Sequence, residues 1–175
     1  MGQGRTRRFE AIVLPHLDDA YNLARWLLRN DHDAQDVVQE TYLRALRYFD
    51  GFIGEDARPW LLGIVRNTCF TWLGEKMRGH IEFDEERDSD APGARPDAAA
   101  NDPQRLLEYK LDRERVNAAI ATLSPPFREV LILRDLEGFS YDEISQIAGI
   151  PAGTVMSRLS RARNLLRAAL THPGK

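Results

Sequence analysis

The sequence predicts an all-α protein in which two small helical domains are joined by a flexible acidic linker. Apolar residues recur at three- and four-residue spacing in both halves, and no segment shows the strict alternation of a strand. Between the halves lies a segment rich in proline, alanine and acidic residues, without apolar periodicity. We therefore expect a first domain over residues 8–79, a linker over 80–103 and a second domain over 104–172 that contains a helix-turn-helix.

Three helices are expected in the first domain. The first ends near Asn30, and Asp31 or Asp33 is suited to cap the second. After a loop that carries two glycines, Pro59 suits the first turn of the third helix. The residues expected on the buried sides of these helices are Leu17, Ala20, Tyr21, Ala24, Leu27, Leu28, Val37, Val38, Tyr42, Leu43, Ala45, Leu46, Trp60, Leu61, Ile64, Val65, Thr68, Cys69, Trp72 and Leu73.

The second domain is expected to begin with a helix that has apolar residues from Leu106 to Ile120. A second helix follows from Pro126 to Glu137, where Gly138 ends it. These two helices precede the segment with the most informative pattern in the chain.

Residues 140–163 have the layout of a helix-turn-helix. Ser140 and Glu143 match a capping box, Gly149 permits the turn, and a last helix is expected from about Ala152 to Leu170. Its hydroxyl and arginine side chains can hydrogen-bond to base edges and phosphates in the major groove. A helical hairpin with a solvated basic face would share this pattern, and several classes of DNA-binding regulator would fit it.

Charge is distributed unevenly along the chain. The formal net charge is −3, but residues 80–102 alone carry −6, so the rest carries +3. Residues 155–175 contain five bases and no acid. The positive potential therefore lies on the expected helix-turn-helix, where a phosphate backbone could be bound.

Composition argues against several classes of protein. One cysteine and four scattered histidines assemble no disulfide framework and no metal-ligand cluster, so we expect neither metal nor cofactor. No apolar run is long enough to insert in a membrane, and a buried, reduced Cys69 suits the cytoplasm. No nucleophile–base pair or phosphate-binding loop is evident, so an enzyme is the least favoured class.

Three motifs occur in order along the chain. They are DVVQET at 36–41 followed by LRA at 43–45; RPWL at 58–61 with Ile64 and RNT at 66–68; and LSPPFREVL at 123–131 with GTVMSRL at 153–159 and RAR at 161–163. They resemble the core-polymerase-binding helix, the promoter-melting segment and the fourth region of sigma-70-type factors. A short chain without a first or third region resembles the extracytoplasmic-function (ECF) group of that family.

The resemblance implies that the second helix docks on the largest subunit of core RNA polymerase. Asp36, Gln39, Glu40 and Arg44 stand at three- and four-residue spacing and share one polar face, so they are the expected core-binding residues. Composition alone would favour a merely solvated face, and the resemblance favours contact with the polymerase.

The resemblance also implies two DNA-binding sites. Promoter opening in this family holds an unstacked base beside the loop before the third helix, and the matching residues for the −10 element are Phe52, Arg66 and Asn67. Trp60 shares the helical phase of Leu61 and Ile64, so core packing is expected for it.

The last helix is expected to read the −35 element. Arg158 and Arg161 are the preferred contacts, with Thr154 and Ser157 in support. Met156 stands where many members of the family carry lysine or arginine, and this departure leaves the −35 sequence open.

The partners implied by the resemblance are core RNA polymerase, promoter DNA and an anti-sigma factor. A linker of roughly 20 residues could reach about 70 Å when extended, which lets both domains bind separate surfaces. Two alternatives stay open: a helix-turn-helix regulator that binds DNA alone as a dimer, and an interaction protein that never binds DNA. No dimerisation heptad favours the first of these.

Overall fold

The computed structural model describes residues 2–79 and 103–171, where the regular elements are helical, as the sequence predicts. The first half contains α1 (Gly2–Val13), α2 (Leu17–Leu28), α3 (Asp31–Tyr48) and α4 (Arg58–Gly79). The second half contains α5 (Pro103–Ala121), α6 (Pro125–Leu131), α7 (Tyr141–Ala148) and α8 (Ala152–Thr171). The expected linker lies outside the described residues except for its last residue, Pro103, which begins α5.

Helix α1 was not among the expected helices. Phe9 and Val13 are its buried residues. The Phe9 ring meets the rings of Tyr42 and Phe49 edge to face, with centroids 5.1 and 5.3 Å apart. Such edge-to-face pairs add to the stabilisation gained by apolar burial. This helix is therefore part of the core of the first half.

The turn between α2 and α3 corrects the expected helix cap. Asn30, not Asp31 or Asp33, is the N-cap of α3, and its side-chain oxygen accepts a hydrogen bond from the Asp33 backbone N–H at 3.0 Å. Asp31 instead forms an ion pair with the buried Arg25 at 2.5 Å. Arg29 ends α2 in the left-handed region, with φ 58°. The N-cap is therefore Asn30, one residue before Asp31, because the Asp31 carboxylate binds Arg25 of α2 instead.

Most residues expected in the core are buried or half-buried, but Leu43 is not. Leu43 is 63% exposed. It lies on the face of α3 opposite Val37 and Ala45, which are both fully buried. Apolar residues at the start of α5 are also exposed: Leu106, Leu107, Tyr109 and Leu111. The 3.6-residue period therefore does not by itself tell which apolar residues enter the core.

The helix expected from Pro126 to Glu137 is interrupted. It begins at Pro125, is α-helical to Leu131, and widens into a π turn over Ile132–Leu136. The Glu137 N–H donates to the Ile132 carbonyl, five residues back, at 2.9 Å. Ile132 and Leu133 are both fully buried in this turn, and Gly138 follows with φ +75°.

The helix-turn-helix forms from α7 and α8 as the sequence predicts. Ser140 and Glu143 make both hydrogen bonds of the capping box, at 3.0 and 3.1 Å. Gly149 takes the left-handed conformation, with φ +68°, that the turn requires. The Ser145 hydroxyl then donates to the Ile150 carbonyl at 2.5 Å, which ties the turn to α7.

The two halves pack directly against each other. Helix α4 lies against α7, and α2 lies against α6. The first pair is in contact at Gly63, where a Cβ would lie at an ordinary van der Waals distance of 3.7 Å from the Ile147 carbonyl oxygen. None of the described helices is both long enough and apolar enough to cross a membrane.

Candidate polymerase and nucleic-acid interfaces

The expected core-binding residues lie along α3 but differ in their surroundings. Asp36 and Gln39 are exposed, whereas Glu40 and Arg44 are half-buried. The Arg44 guanidinium donates to the Glu40 carboxylate at 2.6 Å and to the Thr68 hydroxyl of α4 at 3.4 Å. Arg44 therefore also links α3 to α4. The exposed Leu43 lies on this helix beside these polar groups and not in the core, where its apolar spacing predicts it.

The loop between α3 and α4 carries Phe52 in a cluster of aromatic rings. The Phe52 ring lies 6.3 Å from that of Phe49, nearly parallel, and 5.0 Å from that of Trp60. Trp60 is half-buried in this cluster, consistent with the expected packing role. Next to Phe52, Ile53 is 93% exposed, an apolar residue that periodicity could not single out because it lies in a loop.

Helix α1 holds this loop in place. The Arg5 guanidinium donates to Asp50 at 2.9 Å and to the Leu46 carbonyl at 2.7 Å. The Arg8 guanidinium lies over the Phe49 ring, 5.5 Å from its centroid. The basic N-terminal residues Arg5 and Arg8 thus position the segment that bears Phe52, a role that no sequence pattern indicates.

Phe52 and Asn67 line one cavity of about 670 Å³. Trp60 of the first half and Glu143 and Gln146 of α7 complete its walls. Asn67 is exposed, so its amide NH2 group faces this cavity or solvent, while its amide oxygen accepts a hydrogen bond from Arg66. The cavity therefore combines aromatic surface with an amide, and the second half covers one side of it.

Arg66, the third residue expected at the −10 element, is bound to the other half. Its Nε donates to the carboxylate of Glu129 in α6 at 2.5 Å, and Glu129 is fully buried. The guanidinium also lies 4.1 Å from the centre of the Phe70 ring, and donates to the Asn67 side chain at 3.2 Å. Burial raises the pKa of Glu129 more than the facing Arg66 and Arg158 lower it.

Arg58 makes a second connection between the halves. It binds Asp19 of α2 at 2.9 Å and Glu137 at 2.7 Å. Its guanidinium also lies 4.3 Å from the centre of the Phe139 ring. Burial and the Asp19 charge raise the pKa of Glu137, while Arg58 lowers it, with burial the largest effect.

The residues expected at the −35 element lie in the first half of α8. Ser157 and Arg161 are exposed, and Thr154 and Arg158 are half-buried. Met156 is 51% exposed on the same part of the helix. Arg163, further along, is instead paired with Asp135 through two hydrogen bonds of 2.7 and 3.1 Å.

Cys69 is the cysteine of the chain, and its thiol is buried. Burial and the nearby Glu129 raise the pKa of the Cys69 thiol to about 12, so it stays protonated at neutral pH. Among the described residues no group of histidine, cysteine and acidic side chains could hold a metal ion.

Comparison with known families gives two matches along this chain. Sigma-70 region 2 matches residues 12–79, which span α2 to α4. Sigma-70, region 4 matches residues 113–166, which include the helix-turn-helix.

Named relatives match across both halves. The chain is 32% identical over 159 residues to the ECF RNA polymerase sigma factor SigE of Mycolicibacterium smegmatis, covering 91% of this chain and 60% of that protein. It thus spans less than two thirds of the length of SigE. It is 32% identical over 167 residues to the ECF RNA polymerase sigma factor SigC of Mycobacterium tuberculosis, covering 95% of this chain and 85% of SigC.

A solved structure of similar fold is the sigma factor RpoE in complex with the anti-sigma factor NepR from Bartonella quintana. The TM-score is 0.72 at 28% identity, over 96% of this chain and 99% of RpoE. The family matches, the named relatives and the solved structure all indicate the same family, and the order of motifs in the sequence indicates it too. The chain belongs to the ECF group of sigma-70 family RNA polymerase sigma factors, which are transcription initiation factors and not enzymes.

Proposed function

We propose that this chain binds core RNA polymerase in the cytoplasm and directs it to promoters through two DNA-binding surfaces. Residues 8–79 and 104–172 act as separate domains, and residues 80–103 link them. The observation that carries the proposal is the exposed, arginine-bearing face of α8 after a glycine turn, on a chain whose other half matches sigma-70 region 2. Such a face is suited to a major groove.

Core polymerase binds the outer face of α3. Asp36 and Gln39 contribute exposed polar groups, and Glu40 with Arg44 forms an ordered ion pair beside them. Leu43 contributes apolar surface at the middle of this face. A buried apolar centre with a polar rim is the usual composition of a specific protein interface, so we add Leu43 to the proposed contacts.

The −10 element is opened beside α4. A base extracted from the duplex loses stacking energy, which an aromatic surface and hydrogen bonds to the base edge can offset. The Phe52 ring and the Asn67 amide supply both within one cavity. Arg66 contributes a positive charge once it is released from Glu129.

The −35 element is bound by α8. Arg161 and Ser157 are exposed on its first three turns, and Arg158 and Thr154 lie between them and the protein core. An arginine can make two hydrogen bonds to one guanine, and hydroxyls can hold phosphates. Exposed Met156 adds apolar surface that suits a thymine methyl group better than a phosphate.

We infer that an anti-sigma factor also binds this chain. The support is the similarity to RpoE, whose structure is that of a complex with an anti-sigma factor. The exposed apolar residues of α5 add surface suited to a protein partner, and one of them, Tyr109, lines a cavity of about 410 Å³ between α5 and Trp26 of α2.

The proposal is tested by transcription in vitro from fragmented DNA of the source organism, using bacterial core RNA polymerase with and without this protein. New transcripts with defined start sites are expected only when the protein is present. Sequences upstream of those sites should then share two elements. A chain with both Arg158→Ala and Arg161→Ala should still bind core polymerase but support little transcription.

Two outcomes would favour the alternatives. A protein that shifts DNA but never co-elutes with core polymerase would be a conventional helix-turn-helix regulator. If the protein binds polymerase but the double alanine substitution leaves transcription unchanged, contacts between α8 and DNA do not contribute to its function.

A further inference from the structure

The first turns of α1 lie outside the stretch that matches sigma-70 region 2, since that match begins at residue 12. Two arginines of these turns, Arg5 and Arg8, are three residues apart and therefore lie on the same side of the helix. The neighbouring Phe9 is fully buried and anchors α1 to the first half. This part of α1 thus makes ordered contacts that the family match does not account for.

Arg5 connects the end of α3 to the loop that follows it. Its Nε donates to the Asp50 carboxylate at 2.9 Å, and its terminal nitrogen donates to the Leu46 carbonyl at 2.7 Å. Leu46 lies in the last turn of α3, where carbonyl groups lack partners within the helix. The guanidinium group is planar and presents its donors in a fixed geometry. One side chain therefore fixes the direction in which the chain leaves α3.

A series of ring contacts continues from α1 to Phe52. The rings of Phe9 and Phe49 meet edge to face, 5.3 Å apart, and the Phe49 and Phe52 rings lie 6.3 Å apart at an angle of 17°. The Arg8 guanidinium lies over the Phe49 ring. Because packed side chains transmit displacements to their neighbours, a shift of α1 would move Phe49 and then Phe52.

The loop has few other contacts that could hold Phe52. The Phe52 N–H donates to the Phe49 carbonyl at 3.0 Å, which ties it to the same side of the loop. Beyond Phe52, residues 53–56 are all exposed. On the other side of the Phe52 ring, the Trp60 ring lies 5.0 Å away. The position of Phe52 therefore depends on the α1 side of the loop and on one ring of α4.

We propose that Arg5 and Arg8 are positioning residues that determine which base the −10 cavity accepts. They hold the Phe52 ring in place relative to the Asn67 amide, which lines the same cavity. This inference rests on the proposed function and adds a specificity determinant to it. A base is selected when one ring stacks on it while an amide bonds its edge, and such groups must be held to within about 0.5 Å.

The contacts of Arg5 and Arg8 are suited to positioning more than to stabilising the fold. The side chains of Arg5 and Asp50 are 38% and 78% exposed, and an exposed ion pair adds little to stability. Arg8 is exposed as well. Substitution of either arginine should therefore leave the helices intact and alter the loop.

The test measures base preference in the complex of this chain with core polymerase. Single-stranded oligonucleotides carry the −10 sequence found upstream of the new transcripts and differ only at the extracted base. For Arg5→Ala, we expect the preference for the best base over the other three to fall about tenfold, the discrimination that one well-placed hydrogen bond provides. Arg8→Ala should reduce it less, because Arg8 acts through one ring.

Three further variants separate positioning from charge. Arg7→Ala removes the same charge from an exposed position of α1 and should leave the preference unchanged. Arg5→Lys should give an intermediate preference, because an ammonium lacks the planar fork of a guanidinium. Asp50→Ala removes the ion pair alone, and adding it to Arg5→Ala should cause no further loss, since both changes remove one contact.

Hydrogen exchange of the free chain reports on the loop without polymerase or DNA. Backbone amides of residues 49–57 should exchange faster in Arg5→Ala than in the wild-type chain and in Arg7→Ala, while those of α6 to α8 should be unchanged. Equal exchange in all three chains would show that Arg5 does not hold the loop, and would overturn the proposal.

Two results of the binding experiment would also overturn it. In the first, Arg5→Ala weakens binding of all four oligonucleotides equally, so α1 serves only overall stability. In the second, Phe52→Ala abolishes the preference and Arg5→Ala leaves it intact. If the wild-type chain supports no initiation by core polymerase, the proposed function fails instead, and hydrogen exchange still decides whether Arg5 holds the loop.

Discussion

Individual arginines of α8 differ in how free they are to bind DNA. Arg161 is exposed, Arg158 lies near Glu129, and Arg163 is engaged by Asp135. For Arg161→Ala we expect promoter binding by the polymerase complex to weaken by about 1–3 kcal/mol, since one base contact is lost. Titration of labelled promoter DNA measures this, and titration of core polymerase should be unchanged. Arg163→Ala removes the same charge and should have a smaller effect; equal losses would mean that α8 provides only general positive charge.

We expect the Asn67 side chain to contribute to promoter opening and not to promoter recognition. Asn67→Ala removes the amide from the cavity that Phe52 and Trp60 line. We expect closed complexes to form normally and to open poorly, because the extracted base loses its hydrogen bonds. Permanganate reactivity of unpaired thymines measures opening. Thr71→Ala, one turn further along α4 and exposed, is the control. Normal reactivity in Asn67→Ala would remove this residue from the site.

Single residues also show where sequence patterns mislead. Leu43 fits an apolar helical stripe, yet it is exposed, because the stripe on α3 is wider than the surface that α4 covers. Ile53 belongs to no periodic segment at all. In the sequence, Arg5 is one of several basic residues near the N-terminus. In the structure it binds Asp50, which is 45 residues away, and so holds the loop that follows α3. A pattern within one segment carries no information about such distant partners.

The elements of the helix-turn-helix could be predicted because their signals are local. The capping box of Ser140 and Glu143 and the left-handed Gly149 depend on residues within one turn of each other. The predicted N-cap of α3 is wrong because asparagine and aspartate are nearly equivalent as N-cap residues. Asn30, Asp31 and Asp33 all lie near the start of this helix, so the sequence does not choose among them. The ion pair of Asp31 with Arg25 distinguishes among them, and that pair depends on the packing of α2.

The capping box should stabilise the helix-turn-helix measurably. For Ser140→Ala we expect the free energy of unfolding to fall by about 1 kcal/mol, because the Glu143 N–H loses its acceptor at the start of α7. Urea unfolding followed by circular dichroism measures this change. Ser160→Ala, within α8 and exposed, replaces serine by a better helix former and should not destabilise the chain. A loss of the same size in both variants would show that the cap contributes nothing specific.

For the molecule as a whole, the order of motifs predicts the family and the class of fold, but not the contact between the halves. Two ion pairs join the halves, Arg66 with Glu129 and Arg58 with Glu137, and their residues are 63 and 79 positions apart. In the sequence, each of these charged residues taken alone is typical of the exposed face of a helix. The packing of the two halves, α4 on α7 and α2 on α6, brings them together.

The two carboxyls that pair with arginines across the halves, those of Glu129 and Glu137, have raised pKa values while the halves are packed together. Burial is the larger cause at Glu129, where Arg66 and Arg158 oppose it and the Cys69 thiol lies nearby. Separation of the halves would return this carboxyl to water, so its pKa would fall toward the ordinary value of 4.5. The same holds for Glu137, which faces Asp19 and Arg58 and is raised chiefly by burial.

The packed halves therefore bind protons more tightly than separated halves would, and acidification should favour their contact. The relative stability gained is complete below the ordinary pKa of 4.5 and is lost as the pH rises through the raised values. For a chain with spin labels on cysteines introduced at the exposed positions Gln3 and Asn164, we expect the fraction with a long distance between the labels to decrease as the pH is lowered from neutral toward 5. Glu137→Gln should weaken this dependence, since one titrating group is gone. Opening on acidification, with helix content unchanged, would show that the ion pairs outweigh burial and would reverse the assigned sign.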